Sequence, residues 1–353
     1  MILVHELFYN FILLGIDAAI LIWLWQRPGW WSTAIALLTH LASCFVVARV
    51  LSAESFFFMR LAAWGVFVHF PLLVLVASCF PRQPIARRLA LGLTALLAIA
   101  IAVDAFLIEP HQLQLSHRVI TSSKLDRPLR IVVVADLQTD QFGDYERGVL
   151  DRAAAQQADL ILLAGDYVQT QDSARWESLR DELRAHLQSI AWEAPLGVYA
   201  VGGNSDWYQW PEIFAGTSIQ VLEQTASLAL DDGQITLTGL SVTDSFDPEL
   251  QVAAADGFHI LLGHAPDFAL GQVEADLLVA GHTHGGQVRL PGLGPVITAS
   301  RIPRGWAANL TEIQPGQHLL VSRGIGMERL GAPRLRFLCR PELAILDIRP
   351  ASP

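Results

Sequence analysis

Apolar residues run almost without interruption through four stretches of the first third of the chain, 7–25, 31–48, 61–80 and 89–108. Each is close to the length of about 20 residues that a helix needs to cross the hydrocarbon of a bilayer. The second and third contain no formal charge, and the pieces between the runs, Gln26–Gly29, Arg49–Arg60 and Pro81–Arg88, carry Arg, Pro or Gly. None of the runs has the periodicity of about 3.6 residues that marks a helix with one wet face. The pattern predicts a four-helix transmembrane region over 1–110. A cleaved signal peptide fits poorly, because no Lys or Arg precedes Arg27 and three more spans follow the first.

Past a linker over 111–128 the pattern changes to short apolar strands that end in polar turns, with helical stretches between them. Ile131-Val-Val-Val-Ala135 ends at Asp136, and Asp159-Leu-Ile-Leu-Leu-Ala164 ends at Gly165-Asp166. Gly197-Val-Tyr-Ala-Val201 ends at Gly202-Gly-Asn204. His259-Ile-Leu-Leu-Gly-His264 and Asp276-Leu-Leu-Val-Ala-Gly-His282 repeat the design, and Tyr145–Gln157 reads as a helix. This predicts an α/β domain over 129–353. In open α/β sheets ligands bind beyond the carboxyl ends of the strands, so the five tips are expected to converge on one site.

Composition sharpens the division. The chain is 52% hydrophobic and only 16% charged, where a soluble domain carries about 25% charged residues. Residues 1–110 hold five acids and six arginines, leaving 29 acids and 18 bases, a net charge of −11, in 111–353. That acidity disfavours a nucleic-acid partner, whose backbone is gripped by clustered Lys and Arg. Three cysteines, Cys44, Cys79 and Cys339, make no disulfide framework. Arg27, Arg82, Arg87 and Arg88 in the first and third loops, against Arg49 and Arg60 in the second, favour a catalytic domain outside the cytoplasm. Arg118, Lys124 and Arg127 pull the other way. Asp17 and Asp104 lie inside spans, where an ionisable group is costly. Both are functional candidates for that reason, with His40 and His69 as weaker ones; the favoured alternative has Asp17 hydrogen-bonded to a neighbouring helix and Asp104 reaching the interface.

The tips carry Asp136, Gln138, Asp166, Asn204, His264, His282 and His284. Carboxylates, imidazoles and amide oxygens suit borderline divalent ions such as Mn, Fe, Zn, Ni or Co. Seven groups are too many for one ion that leaves room for substrate, and they suit two ions sharing a carboxylate. Such a pair can hold a bridging hydroxide and clamp a phosphoryl group. His282 and His284, two apart in a glycine-flanked turn, can aim both rings at one centre, whereas His259 on the preceding strand reads as structural.

Asp136-Leu-Gln138, Gly165-Asp166, Gly203-Asn204-Ser-Asp206, Gly263-His264 and Gly281-His-Thr-His284-Gly-Gly-Gln287 resemble the ordered signature blocks of the calcineurin-like metallophosphoesterases. The bacterial membrane-linked branch is the most similar, given Gly165-Asp-Tyr-Val168, Ser322-Arg-Gly-Ile-Gly326 and Pro341-Glu342. The resemblance covers about 129–348. It implies a β-sandwich flanked by helices and an integral protein of the bacterial inner membrane. It also implies a phosphoester or diphosphate substrate, which related branches take in lipid-linked form such as UDP-diacylglucosamine. By the same resemblance Asp136, Gln138 and His284 would hold one metal, Asn204, His264 and His282 the other, and Asp166 would bridge and be catalytic. Gln138 stands where the family has a histidine ligand, and Ser205 where it has a histidine thought to protonate the leaving group. Asp206 follows as a further catalytic or orienting carboxylate.

A membrane protein whose phosphoesterase-like domain binds metal or ligand without turnover is the alternative, with Ser205 as its main argument; a transporter with a regulatory domain is a third reading. Arg301, Arg304, Arg323, Arg329, Arg334 and Arg336 are candidates for an anionic substrate or headgroups. Trp207, Tyr208 and Trp210 are candidates for an acyl chain, a base or the core.

Overall fold

The computed structural model describes residues 2–190 and 192–351, which divide into two compact units, Met1–Ile108 with Leu330–Arg334, and Glu109–Arg329 with Leu335–Pro353.

In the first unit four helical stretches, Leu3–Gln26, Trp30–Leu51, Ser55–Ser78 and Ile85–His111, are long and apolar enough to cross a membrane. The third begins at Ser55, earlier than its apolar run, because Glu54 caps it. Both Glu54 carboxylate oxygens accept backbone N–H groups, from Phe56 at 2.8 Å and Phe57 at 2.6 Å, which satisfies donors that a helix start leaves orphaned. This stretch and the fourth each contain a π-turn, at Gly65–His69 and Asp104–Ile108. Asp17 joins the first three spans: its carboxylate meets Nδ1 of His40 and Nδ1 of His69, each at 2.7 Å. His69 Nε2 continues to Asn10 Oδ1 at 2.9 Å. Gly65 is needed there, since a Cβ on it would stand 2.5 Å from both Cys44 Sγ and Tyr9 Oη.

The second unit is a β-sandwich flanked by helices. Its first sheet contains β1 (Gln114–Ser122), β2 (Leu129–Val134), β3 (Leu160–Ala164), β4 (Val198–Val201) and β5 (Ile219–Leu222). The second contains β6 (Ala226–Leu230), β7 (Ile235–Gly239), β8 (Phe258–Leu262), β9 (Leu277–Ala280), β10 (Asn309–Gln314) and β11 (Gln317–Val321). The last strand, β12 (Glu342–Pro350), returns to the first sheet between β1 and β2, giving the orders β1-β12-β2-β3-β4-β5 and β10-β11-β9-β8-β7-β6. β1 corrects the expected linker over 111–128: it pairs in parallel with β12 from Gln114 to Ser122. As an edge strand it buries little beyond Ser116 and Ile120, so its polar composition hid it.

Alternation along each strand builds the layers. Ile131 and Val133 of β2 point inward and pack with Leu162, Leu237, Ile260 and Val279 in the core between the sheets. Val132 and Val134 point outward and pack beneath the two helices Asp144–Ala154 and Ser173–Ile190, through Val149, Leu150, Trp176 and Leu183. β2, β3 and β4 run parallel, as do β7, β8 and β9. Their carboxyl ends therefore leave each sheet at one edge, and the polar tips follow from that.

Candidate metal centre

Five of the seven expected ligands sit in left-handed backbone: Asp136 (φ 49), Gln138 (φ 37), Asp166 (φ 57), His282 (φ 66) and His284 (φ 47). Non-glycine residues seldom adopt this region, and they hold it where surrounding structure over-determines them, commonly at functional sites. Backbone bonds do the holding here. Asp136 N–H donates to Gly165 O at 3.1 Å, Gln138 N–H to Asp166 O at 2.8 Å and Gly281 N–H to His264 O at 2.8 Å.

The turns bring Asp136, Asp166 and His264 together, with a ligand atom of each within 4.8 Å of the others and all three buried. His264 Nε2 lies 3.5 Å from Asp166 Oδ2, and its Nδ1 lies 3.8 Å from Asp136 Oδ1. Asn204 joins through Oδ1, 2.9 Å from His264 Nε2. His282 joins through its ring, 5.1 Å from that of His264, and through its N–H, which donates to Asp136 Oδ1 at 2.9 Å. Among the described residues, Gln138 Oε1 and His284 Nδ1 are buried without a hydrogen-bond partner. The Gln138 amide oxygen and one ring nitrogen of His284 are thus not committed to any protein hydrogen bond.

Electrostatics show what the cluster needs. Burial, then the charge of Asp166, raises Asp136 well above the usual carboxylate range, and burial raises Asp166. Burial pushes His264 down to about 4, and burial with the neighbouring His264 pushes His282 down to about 4. Burial also holds His284 well below the ordinary histidine range. The imidazoles are neutral, with one proton each to place. His264 spends its proton from Nδ1 on Ala164 O at 2.8 Å, and His282 from Nε2 on Ala299 O at 3.0 Å. Carbonyl partners of this kind fix the tautomer of metal-binding histidines.

His264 Nε2 therefore presents a lone pair to the lone pairs of Asn204 Oδ1. Two acceptors facing at 2.9 Å repel unless a cation lies beside both. Adjacent ligands on one octahedral ion, with bonds of about 2.0–2.2 Å, stand roughly 3 Å apart. Buried carboxylates beside them make the same demand, and the residues present fit divalent ions.

Of the two roles expected for Asp206, its hydrogen bonds match the orienting one. Its oxygens accept the backbone N–H groups of Tyr167 at 2.7 Å, Gly203 at 2.8 Å and Asp166 at 2.9 Å, so it positions two ligand loops. Burial and the charge of Asp166 push it up to about 8, against those three donors. Arg336 corrects a sequence expectation: fully buried, it donates to the carbonyls of Gly326, Cys339, Arg323 and Gly324 and pins loops instead of meeting an anion. Trp207 stacks on Trp176 at 5.7 Å and Trp210 is buried, while Tyr208 is exposed. His259 is structural as expected, bonded to Thr238 Oγ1 and Glu274 O.

Sequence reasoning missed Glu328. Its Oε2 accepts from Gln138 Nε2 at 3.0 Å and its Oε1 from Gln169 Nε2 at 2.7 Å, and both amides also reach Ser205 Oγ at 3.2 Å. Burial raises its carboxyl above the ordinary range. The available signal was positional, for Glu328 follows β11 through a glycine turn, as the recognised tips follow their strands.

Residues 129–286 match the calcineurin-like phosphoesterase family. The chain is similar to uncharacterized metallophosphoesterase YkuE of Bacillus subtilis (strain 168), at 29% identity over 69% of this chain and 87% of that one. It is similar also to phosphodiesterase YaeI of Escherichia coli (strain K12), at 28% identity over 66% of this chain and 86% of that one. The match runs through the strands that converge on Asp136, Asp166 and His264, so the stretch it covers is similar to a calcineurin-like phosphoesterase domain.

Proposed function

We propose that the protein is a membrane-anchored phosphoesterase in which Asp166 bridges two divalent ions. Asp136, Gln138 and His284 complete one coordination shell, and Asn204, His264 and His282 the other. The observation that carries this reading is the pair of facing acceptors, His264 Nε2 and Asn204 Oδ1, beside two buried carboxylates. Bound there, two ions act as Lewis acids that lower the pKa of water and draw charge from a phosphoryl group. The chain's own residues prepare the site. Ala164 and Ala299 carbonyls orient two imidazoles, Asp206 holds the Asp166 and Gly203 loops, and Glu328 holds the Gln138 amide with its oxygen free.

Ser205 offers a hydroxyl where an acid would assist the leaving group, and its N–H is spent on Asp166 Oδ1 at 2.8 Å. General acid help is commonly worth about 10²–10⁴-fold. Without it, leaving groups that depart unprotonated are favoured, which points to phosphodiesters with acidic leaving groups and to diphosphates. Four spans in front of the phosphoesterase unit favour a substrate from the bilayer, and the loop arginines favour a catalytic unit outside the cytoplasm of a bacterial inner membrane.

The test is metal content of the full-length protein in detergent, with turnover on bis(p-nitrophenyl) phosphate, a nucleoside diphosphate sugar and an alkyl phosphate monoester. Two ions per chain are expected, with the first two substrates cleaved well ahead of the third. Folded protein that takes up no divalent ion and cleaves none of them overturns the proposal.

A further inference from the structure

The two π-turns of the first unit meet at one cavity. Of about 480 Å³, it is lined by Phe67 and Val68 from the first π-turn, Phe106 and Leu107 from the second, the preceding turns of both spans, and the segment Ala332–Arg334. Phe67 and Phe106 touch edge to face in its wall, 5.3 Å between centroids at 78°. A π-turn inserts a residue into a helix and is frequent at functional sites. Two neighbouring spans each carry one, and each delivers an aromatic ring to the same wall. The volume lies in the range of ligand pockets. Walls are apolar except for two cations, Arg60 and Arg334. Arg60 uses Nε on Glu6 Oε1 at 2.5 Å and Nη1 on Leu330 O at 2.9 Å, which anchors the loop beside the cavity.

We infer that this cavity takes an acyl chain of a phosphate-bearing membrane lipid, with Arg60 and Arg334 meeting the headgroup. Apolar walls in a helical unit of this kind exclude free phosphate as the occupant, because nothing but the two arginines would contact it. The recess is partly open, so in a bilayer its apolar walls meet acyl chains, the apolar material at hand. A chain that leaves a bilayer for an apolar cavity exchanges one hydrocarbon for another and gains little. Discrimination among lipids therefore falls to the headgroup, where guanidinium groups favour phosphate oxygens. Ala332 stands four residues after Glu328 in the chain. The inference deepens the phosphoesterase reading and rests on it in one respect: the bound lipid is taken as substrate class.

Two measurements separate the inference from that reading. In the first, full-length protein in phosphatidylcholine nanodiscs is irradiated with a trace of phosphatidic acid carrying a diazirine at its acyl end, and the adducts are mapped. Adducts at Phe67, Val68 and Phe106 are expected, displaced by dioleoyl phosphatidate and reduced at least about fivefold in Arg334→Gln. Equal labelling by a diazirine phosphatidylcholine, or adducts elsewhere, overturns the inference whether or not the enzyme turns over. In the second, the p-nitrophenyl ester of dioleoyl phosphatidate is compared with bis(p-nitrophenyl) phosphate, which shares its leaving group. Ala102→Trp, or the milder Ala63→Leu if the first fails to fold, should lower the ratio of kcat/KM for the lipid ester to that for the soluble ester about tenfold. An unchanged ratio in a folded variant overturns the inference. Failure of both esters in the wild type overturns the phosphoesterase reading and leaves the labelling result standing.

Discussion

A Cβ on Gly203 would stand 2.1 Å from Asp166 Oδ1 and 2.4 Å from Asp166 N. The loop after β4 thus packs backbone to carboxylate against the loop after β3, and only glycine permits the approach. Gly203→Ala should displace Asp166, losing bound metal and activity together with a lower Tm. Gly148→Ala is the matched control: it lies within the helix Asp144–Ala154 and an added Cβ meets nothing within 4 Å. It should raise stability by about 0.5–1 kcal/mol. Calorimetry and metal analysis on both variants check this, and a Gly203→Ala protein with wild-type metal content would refute the close packing.

Asp166→Asn removes the charge proposed to be shared by both ions at almost constant shape. Since even outer-shell changes cost about 10–100-fold in metal affinity or activity, this change should cost at least about 100-fold in kcat/KM and release both ions. Retention of full metal content with unchanged turnover would sink the bridging assignment.

Glu328→Gln replaces an acceptor of two amide N–H groups by a side chain that offers its own NH₂ to one of them. Gln138, bonded to Glu328 Oε2 at 3.0 Å, should rotate and no longer aim Oε1 at the site. Competitive titration of apoprotein should show one of the two ions weakened by about 10–100-fold with the other unaltered. Equal weakening of both would place Glu328 in some other role.

Burial holds the pKa of His259 below the usual histidine range, so the folded state keeps it neutral. Below pH about 6.5 the unfolded chain takes up a proton there that the folded chain resists. Stability from this site is complete above that pH and falls as pH drops through it toward the lower folded value. Tm measured from pH 7.5 to 5 should fall less steeply in His259→Gln than in the wild type, metal-free in both cases. Parallel slopes would count against the assignment.

Of the three cysteines, Cys44 and Cys339 are buried and Cys79, at the end of the third span, is exposed. The wild-type chain therefore reports its own topology. If the phosphoesterase unit lies outside the cytoplasm, Cys79 should resist an impermeant maleimide in intact cells with an opened outer barrier and react once the inner membrane is permeabilised. Reaction before permeabilisation would place that unit in the cytoplasm.

Some features were decided by short stretches of sequence. Four apolar runs specify helices long enough to cross a membrane, because run length is a local property. The strand-then-polar-tip pattern picked out Asp136, Asp166, Asn204, His264 and His282, because a ligand at a strand's carboxyl end needs only its own strand and turn to be recognised. Other features came from contacts between distant positions. β1 is polar and is a strand only because β12 pairs with it from the far end of the chain. Asp206 is an orienting residue because three N–H groups from two loops converge on it, two of them about 40 residues upstream. Glu328 meets Gln138 across 190 residues and Gln169 across 159. Arg336 has the residue type of an anion-binding cation, but its guanidinium is spent on the carbonyls of Gly326, Cys339 and Arg323. Residue type announces which chemistry a side chain can perform, but whether its donors and acceptors are free for that chemistry is settled by which backbone groups the folded chain places against them.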